Sequence, residues 1–378
     1  MKTGDNRENK MKLCFIAAAS AVHTHRWTRY FASSGHEVHL ISPLPLGKGD
    51  IGGAELYVLH QLRIKLGVVF TVINLALGAI QVRKLVKKIN PDLVHARYVT
   101  DCGMWAALSG FHPCILRPMG SDIFIDTKRN PIVKAFIRYA LRKADLVICN
   151  SGALKKGVME LGVNERKIAI INDGVDTQKF SPQQRDEGLR QSLGISAAPT
   201  VVSIRSLSPV YNVETLIRAV PLILKEIPEA RFIIGGEGNQ KEYLLGLASS
   251  LGISGTISFT GWIPHDELPK YLASADVYVS TSLSDGNSIS LQEAMASELA
   301  PVVTEIPGNR EFLIPGENSY FVPPGDHEKL AERIVYLLKN KTTRDRFGKA
   351  GRQTVMERAE YQKGMDKLEK IYQDLLQK

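Results

Sequence analysis

The sequence predicts an α/β protein made of two doubly wound domains, and three observations carry that expectation. Short apolar, β-branched runs alternate with longer segments of helical apolar spacing; the alternation occurs twice; and a polar, turn-rich stretch, DGVDTQKFSPQQRDEG (Asp173–Gly188), separates the two series. A length of 378 residues fits two domains, and 44% hydrophobic and 23% charged residues are ordinary for a globular chain. The spacing assigns residues 1–178 to the first domain and 179–357 to the second, with a terminal helix over 358–378 expected to pack back on the first domain.

In the first series, KLCFIAAAS reads as a strand and HTHRWTRYFASSG as a helix ending at Gly35. HEVHLIS is a second strand, followed by a long helix closed by Asn90-Pro91. DLVHAR, PCILRPMG, ADLVICNS and KIAIINDGVD continue the strands. The second series runs PTVVSIRSL, ARFIIGGEG, TISFTGWI, DVYVSTS, APVVTEI and SYFVPP, with helices between. From KLAERIVYLLKN onward the chain is helical. Two such sheets predict a cleft between them, with ligands beyond the carboxyl ends of the strands.

Composition narrows the function. Four cysteines without CxxC spacing argue against a zinc site or a disulfide framework and favour a reducing cytoplasm. The polar start MKTGDNRENK gives no expectation of a signal peptide. LGVVFTVINLALGAIQV (Leu66–Val82) falls short of a membrane span and reads as a buried or surface-seeking helix. Met1–Asn172 holds 25 Lys+Arg against 12 Asp+Glu, although the net charge is only +9. These cations flank apolar helices in RIKLGVVF, VRKLVKK and KRNPIVKAFIRYALRK, which favours peripheral contact with an anionic membrane over binding to nucleic acid.

The most informative stretch is SDGNSISLQEAMA (Ser284–Ala296), which follows the strand run DVYVSTS. Helical spacing begins near Ser288. A strand, a polar loop and a helix N-terminus form an anion site, because first-turn N–H groups and the helix dipole both favour a phosphate. Asp285 and Glu293, separated by seven residues, flank it. Carboxylates accept hydrogen bonds from hydroxyls, so phosphate and hydroxyl readers together point to a sugar nucleotide.

The ordered set NDGVDTQKF, FIIGGEG, FTGWIPHDELPKYLASADVYVSTS, SDGNSISLQEAMASELAPVVTEIPGNREFL and PGDHEKLAERI resembles glycosyltransferase family 4. That family has the GT-B fold, two Rossmann-like domains facing across a cleft, and the likeness covers nearly the whole chain. The resemblance implies a retaining transferase moving a sugar from a UDP- or GDP-linked donor to a glycan or lipid-linked acceptor, as in surface polysaccharide or glycolipid synthesis. It implies no metal and no further cofactor, and a cytoplasmic location, at the inner face of the membrane if peripheral. A sugar-nucleotide epimerase of the same fold and a non-catalytic sugar-nucleotide or glycan-binding protein are the alternatives.

By the same resemblance, Glu293 reads the nucleotide ribose and Asp285 the donor sugar, where the family usually has glutamate. Backbone N–H groups of Asn287, Ser288, Ile289 and Ser290 hold diphosphate and sugar oxygens, and Gly286 permits the approach. Arg205 binds diphosphate; the lysine usual five residues later is Val210, so Tyr211 or Asn212 is expected to donate instead, with Arg310 a distant source of charge. Gly236 and Gly238 allow close approach near the nucleotide, and Trp262 and Ile263 border the base. On the acceptor side stand His23, His25, Arg26, Gly120 and Ser121, while Asp122 joins Arg205 and Asp285 as the implied catalytic residues. Asp122 is expected to accept from an acceptor or donor hydroxyl, the alternative being a helix cap, with Met119 where the family often has histidine.

Overall fold

The computed structural model describes residues 10–46, 50–60, 67–286 and 288–377. The chain forms two compact units, one of residues 1–171 with 365–378, the other of residues 172–364. In the first, β1 (Lys12–Ile16), β2 (Glu37–Ser42), β3 (Glu55–Val58), β4 (Leu93–Arg97), β5 (Cys114–Arg117), β6 (Leu146–Cys149) and β7 (Ile168–Ile170) lie in the order β3-β2-β1-β4-β5-β6-β7. Every pairing is parallel. In the second, β8 (Thr200–Ile204), β9 (Arg231–Gly235), β10 (Ile257–Gly261), β11 (Val277–Ser280), β12 (Ala300–Thr304) and β13 (Tyr320–Val322) lie in the order β10-β9-β8-β11-β12-β13, again parallel.

Helices cover both faces of a parallel sheet, so inner strands are apolar throughout and read easily in sequence. All of β4, β5 and β12 is buried. The edge strand β3, ELYV, has no buried residue, which is why no apolar run announced it. Helix starts are set by polar caps: Asn130 Oδ1 accepts from Ile132 N–H at 2.8 Å, and Asp326 Oδ1 from Lys329 N–H at 2.8 Å.

The expected boundary at 178 differs from the observed division. Val175 N–H donates to the Ala359 carbonyl at 2.8 Å, and Tyr361 N–H donates back to Val175 at 3.1 Å. The Arg352 guanidinium donates to the carbonyls of Thr177 and Phe180 at 2.9 and 3.0 Å. Gly174, at φ +67°, lets the two passes of chain cross, since a Cβ there would lie 2.7 Å from Tyr361 Cα. Residues 172–178 therefore belong to the second unit.

The tail helix Tyr361–Leu376 joins the first unit from Met365 onward. Met365, Leu368 and Tyr372 are its buried face. Tyr30 Oη donates to Asp366 and Glu369 at 2.8 and 3.0 Å, and His36 Nε2 bonds Glu369 at 3.1 Å. The apolar run ending at Val82 belongs to helix Gly67–Ile89, and among the described residues no helix is long and apolar enough to cross a membrane. Gly78 seats that helix on Trp105, where any Cβ would overlap the indole ring.

Candidate functional site

In each sheet the strand order reverses beside the first strand, between β1 and β4 and between β8 and β11. Such a switch point opens a crevice at the carboxyl ends of its strands. In the second sheet Arg205 follows β8, and the Ser284–Ser288 loop follows β11 and leads into helix Ile289–Ala296. Asn287 lies outside the described residues; Gly286 is half-buried in that loop. Ser288 caps the helix, its Oγ accepting from Leu291 N–H at 3.3 Å.

Arg205 organises this point. Its Nη1 donates to Ser288 Oγ at 2.6 Å and Ser290 Oγ at 2.9 Å, and its Nη2 to Asp285 Oδ2. The side chain is 7% exposed. Burial works against its charge, but Asp285, with Tyr278 and Tyr211, more than restores it, and the pKa is raised. The Tyr211 ring stacks 4.1 Å from the guanidinium carbon, so the tyrosine supplies a π face. Pro209–Tyr211 is a 3-10 turn tied to the end of β11: Thr281 Oγ1 donates to the carbonyls of Tyr211 and Asn212 at 3.1 and 2.8 Å. Asn212 bonds Thr215 Oγ1 at 2.7 Å, and Arg310 pairs with Glu305.

Gly236 and Gly238 allow the tight backbone approach expected of them, and the backbone they admit is that of the loop after β8. A Cβ on Gly236, at φ +134°, would overlap the Arg205 carbonyl, and one on Gly238 would overlap that of Leu207. The glycines admit the backbone that carries Arg205, which Arg205 N–H to Gly235 at 3.0 Å and Leu207 N–H to Glu237 at 2.9 Å then fasten. Gly236→Ala is expected to destabilise the protein by about 2–4 kcal/mol from strain and overlap. Gly246→Ala, where a Cβ meets nothing within 4 Å, is expected to be neutral or mildly stabilising, and urea titrations of the two variants check both outcomes.

Glu293 lies one turn into the helix, 6% exposed, with Oε1 3.1 Å from His265 Nε2. His265 Nδ1 lies 3.1 Å from Lys179 Nζ, which also donates to Asp266 at 2.6 Å. Trp262, in the loop after β10, is 63% exposed; Ile263 is packed against the core beneath. Tyr278 is buried, with Oη 3.0 Å from Ser290 Oγ; burial raises its pKa and Arg205 opposes the rise. Sequence reasoning did not single out Lys179, His265 or Tyr278. Helical and strand periods do not report contacts between elements, and the one available signal was a histidine beside the tryptophan loop.

In the first unit, His23, His25 and Arg26 lie on helix Val22–Ser33 after β1. His25 Nε2 bonds the Ala19 carbonyl, closing the loop that leads into its own helix. Gly120, at φ +112°, and exposed Ser121 follow β5. Asp122 corrects the expectation made of it. It is fully buried; Oδ1 accepts from Met119 and Gly120 N–H at 3.0 and 2.9 Å, and Oδ2 from Val99 N–H at 2.9 Å. Burial outweighs these bonds and raises its pKa. Asp122 thus joins the turns after β4 and β5 and presents no oxygen to a substrate. Among the described residues no three His, Cys, Asp or Glu side chains converge as a metal site.

Residues 12–151 match the family model described as glycosyl transferase 4-like, and residues 185–354 match glycosyl transferases group 1. The sulfoquinovosyl transferase of Arabidopsis thaliana is 31% identical over 226 residues, 58% of this chain but only 42% of the plant protein. The N-acetyl-alpha-D-glucosaminyl L-malate synthase of Bacillus anthracis is 25% identical over 357 residues, 92% of each chain. The crystal structure of Anabaena HepE in complex with UDP-glucose is similar in fold, with a TM-score of 0.81 and 19% identity over 97% of this chain and 100% of that one. The two models cover both sheets in order, and the chain belongs to the group 1 glycosyltransferases of the GT-B fold.

Proposed function

We propose that the protein transfers a glycosyl group, with retention at the anomeric carbon, from a nucleoside-diphosphate sugar to a hydroxyl of a glycan or lipid-linked acceptor. The observation that carries this reading is the convergence of Arg205, the capped N-terminus at Ile289 and the buried Glu293 at one switch point. As the glycosidic bond breaks, negative charge grows on the leaving diphosphate. The fixed guanidinium and the helix N-terminus stabilise that charge in this reading, and their being held in place by protein partners limits the reorganisation needed. Glu293 accepts from ribose hydroxyls, and Asp285 addresses a hydroxyl of the transferred sugar while bridging to Arg205. Protein cations and dipoles do this work, and a divalent metal is not required.

A lipid-linked acceptor and peripheral contact with the inner face of the membrane are supported by helix Gly67–Ile89. Its exposed Ile73, Leu77 and Ile80 precede the exposed Arg83, Lys84, Lys87 and Lys88, an apolar patch followed by a basic one. Surface polysaccharide or glycolipid synthesis suits such an acceptor. UDP and GDP are the favoured carriers; HepE was solved with UDP-glucose.

Thermal shifts with UDP, GDP, ADP, CMP and their sugar conjugates, each with and without EDTA, test the donor site. One base is expected to stabilise the protein regardless of EDTA, with the shift largely lost in Glu293→Ala. Folded protein that responds to none of them would remove the donor-site reading.

A further inference from the structure

We propose that His265 and Lys179 are positioning residues for Glu293, and that together they set the preference of the site for ribonucleotides over 2′-deoxyribonucleotides. The inference rests on the donor-site reading of Glu293 and deepens it. A carboxylate that is 6% exposed needs a partner, and an unpaired one here would turn toward solvent. Its partner comes from the loop after β10: His265 Nε2 lies 3.1 Å from Glu293 Oε1. Imidazole can donate from either nitrogen, so that contact alone does not say which atom carries the hydrogen.

Lys179 decides it. An ammonium group only donates, so its Nζ, 3.1 Å from His265 Nδ1, requires a lone pair at Nδ1. The ring proton then sits on Nε2 and points at Glu293. Asp266 holds the ammonium at 2.6 Å, and the Phe180 ring packs edge-on against the imidazole at 5.3 Å between centroids. One oxygen of Glu293 is thereby committed to His265. Among the described residues nothing bonds Oε2, so the relay orients the carboxylate and leaves one oxygen for a hydroxyl. Ligating carboxylates and imidazoles are commonly aimed by an outer partner in this way, and losing that partner weakens binding without removing the contacting group.

The test compares binding of UDP with dUDP and of GDP with dGDP by calorimetry on the full chain. A hydrogen bond to a charged acceptor gives a preference of about ten- to a hundredfold for the ribonucleotide in wild type. Glu293→Ala is expected to abolish it. His265→Ala is expected to cut it to about threefold or less, Lys179→Met to lower it by about threefold, and His265→Gln, whose amide can donate to Glu293, to restore much of it. A wild-type preference in both His265→Ala and Lys179→Met, with loss in Glu293→Ala, would overturn the proposal and leave the donor site standing. Equal weakening of both nucleotides in the His265 and Lys179 variants would also overturn it, showing a merely structural relay. An unchanged preference in Glu293→Ala would instead refute the ribose-reading role of Glu293, and the proposal with it. Should His265→Ala fail to fold, Lys179→Met and His265→Gln carry the same comparison, since Lys179 is 30% exposed.

Discussion

Arg205→Lys is expected to lower kcat by about a hundred- to a thousandfold, with a much smaller change in the KM for the nucleotide sugar. The guanidinium fork reaches three acceptors at once, Ser288, Ser290 and Asp285, while its flat face lies on Tyr211. An ammonium at the end of a lysine stem is a point charge, able to approach one or two of these and unable to stack as a plane. Charge would remain, but it would no longer be held where negative charge develops. Arg205→Ala is expected to be worse, because it also strips Asp285 of its buried cation; breaking such a pair costs about 3–5 kcal/mol. Turnover of whichever nucleotide sugar stabilises the wild type decides the matter. A lysine variant within threefold of wild type would mean that the guanidinium is structural.

Tyr372→Ala is expected to destabilise the first unit by about 3–5 kcal/mol. Tyr372 is fully buried, stacked on Phe31 with centroids 5.2 Å apart and edge-on to His95 at 5.8 Å, and its Oη bonds His95 Nδ1. Truncation would open a cavity among aromatic rings and remove the partner of a buried imidazole nitrogen. Tyr372→Phe isolates the second effect and is expected to cost about 1–2 kcal/mol. Denaturant unfolding followed by probes in each unit is the appropriate measurement, since two units need not unfold together. A loss below about 1 kcal/mol in the alanine variant would show that the tail helix is only loosely seated.

The fold was legible because parallel strands buried on both faces must be apolar along their length, as LVHAR and APVVT are. It failed at β3, whose half-exposed edge has no such run. The helix start at Ser288 was legible from its spacing, and the structure gives that serine the cap. Asp122 was misjudged because a Gly-x-Asp turn looks the same whether its carboxylate faces solvent or three backbone amides. Gly236 and Gly238 were legible as points of tight backbone approach, but a GxG run does not say that the approaching carbonyls are those of Arg205 and Leu207. The Lys179–His265–Glu293 chain spans 86 and then 28 residues of sequence, and no local pattern reports such distances.

The tail helix has a consequence for the order in which the protein is made. The first unit closes its aromatic cluster with residues 365–376, which a ribosome supplies only after the whole second unit has been synthesised. During elongation the second sheet can therefore finish folding first, although its residues come later. Meanwhile Phe31, His95 and their neighbours wait uncovered, at the usual risk for exposed apolar surface. The part of the protein made first can thus complete its core only when the part made last has arrived.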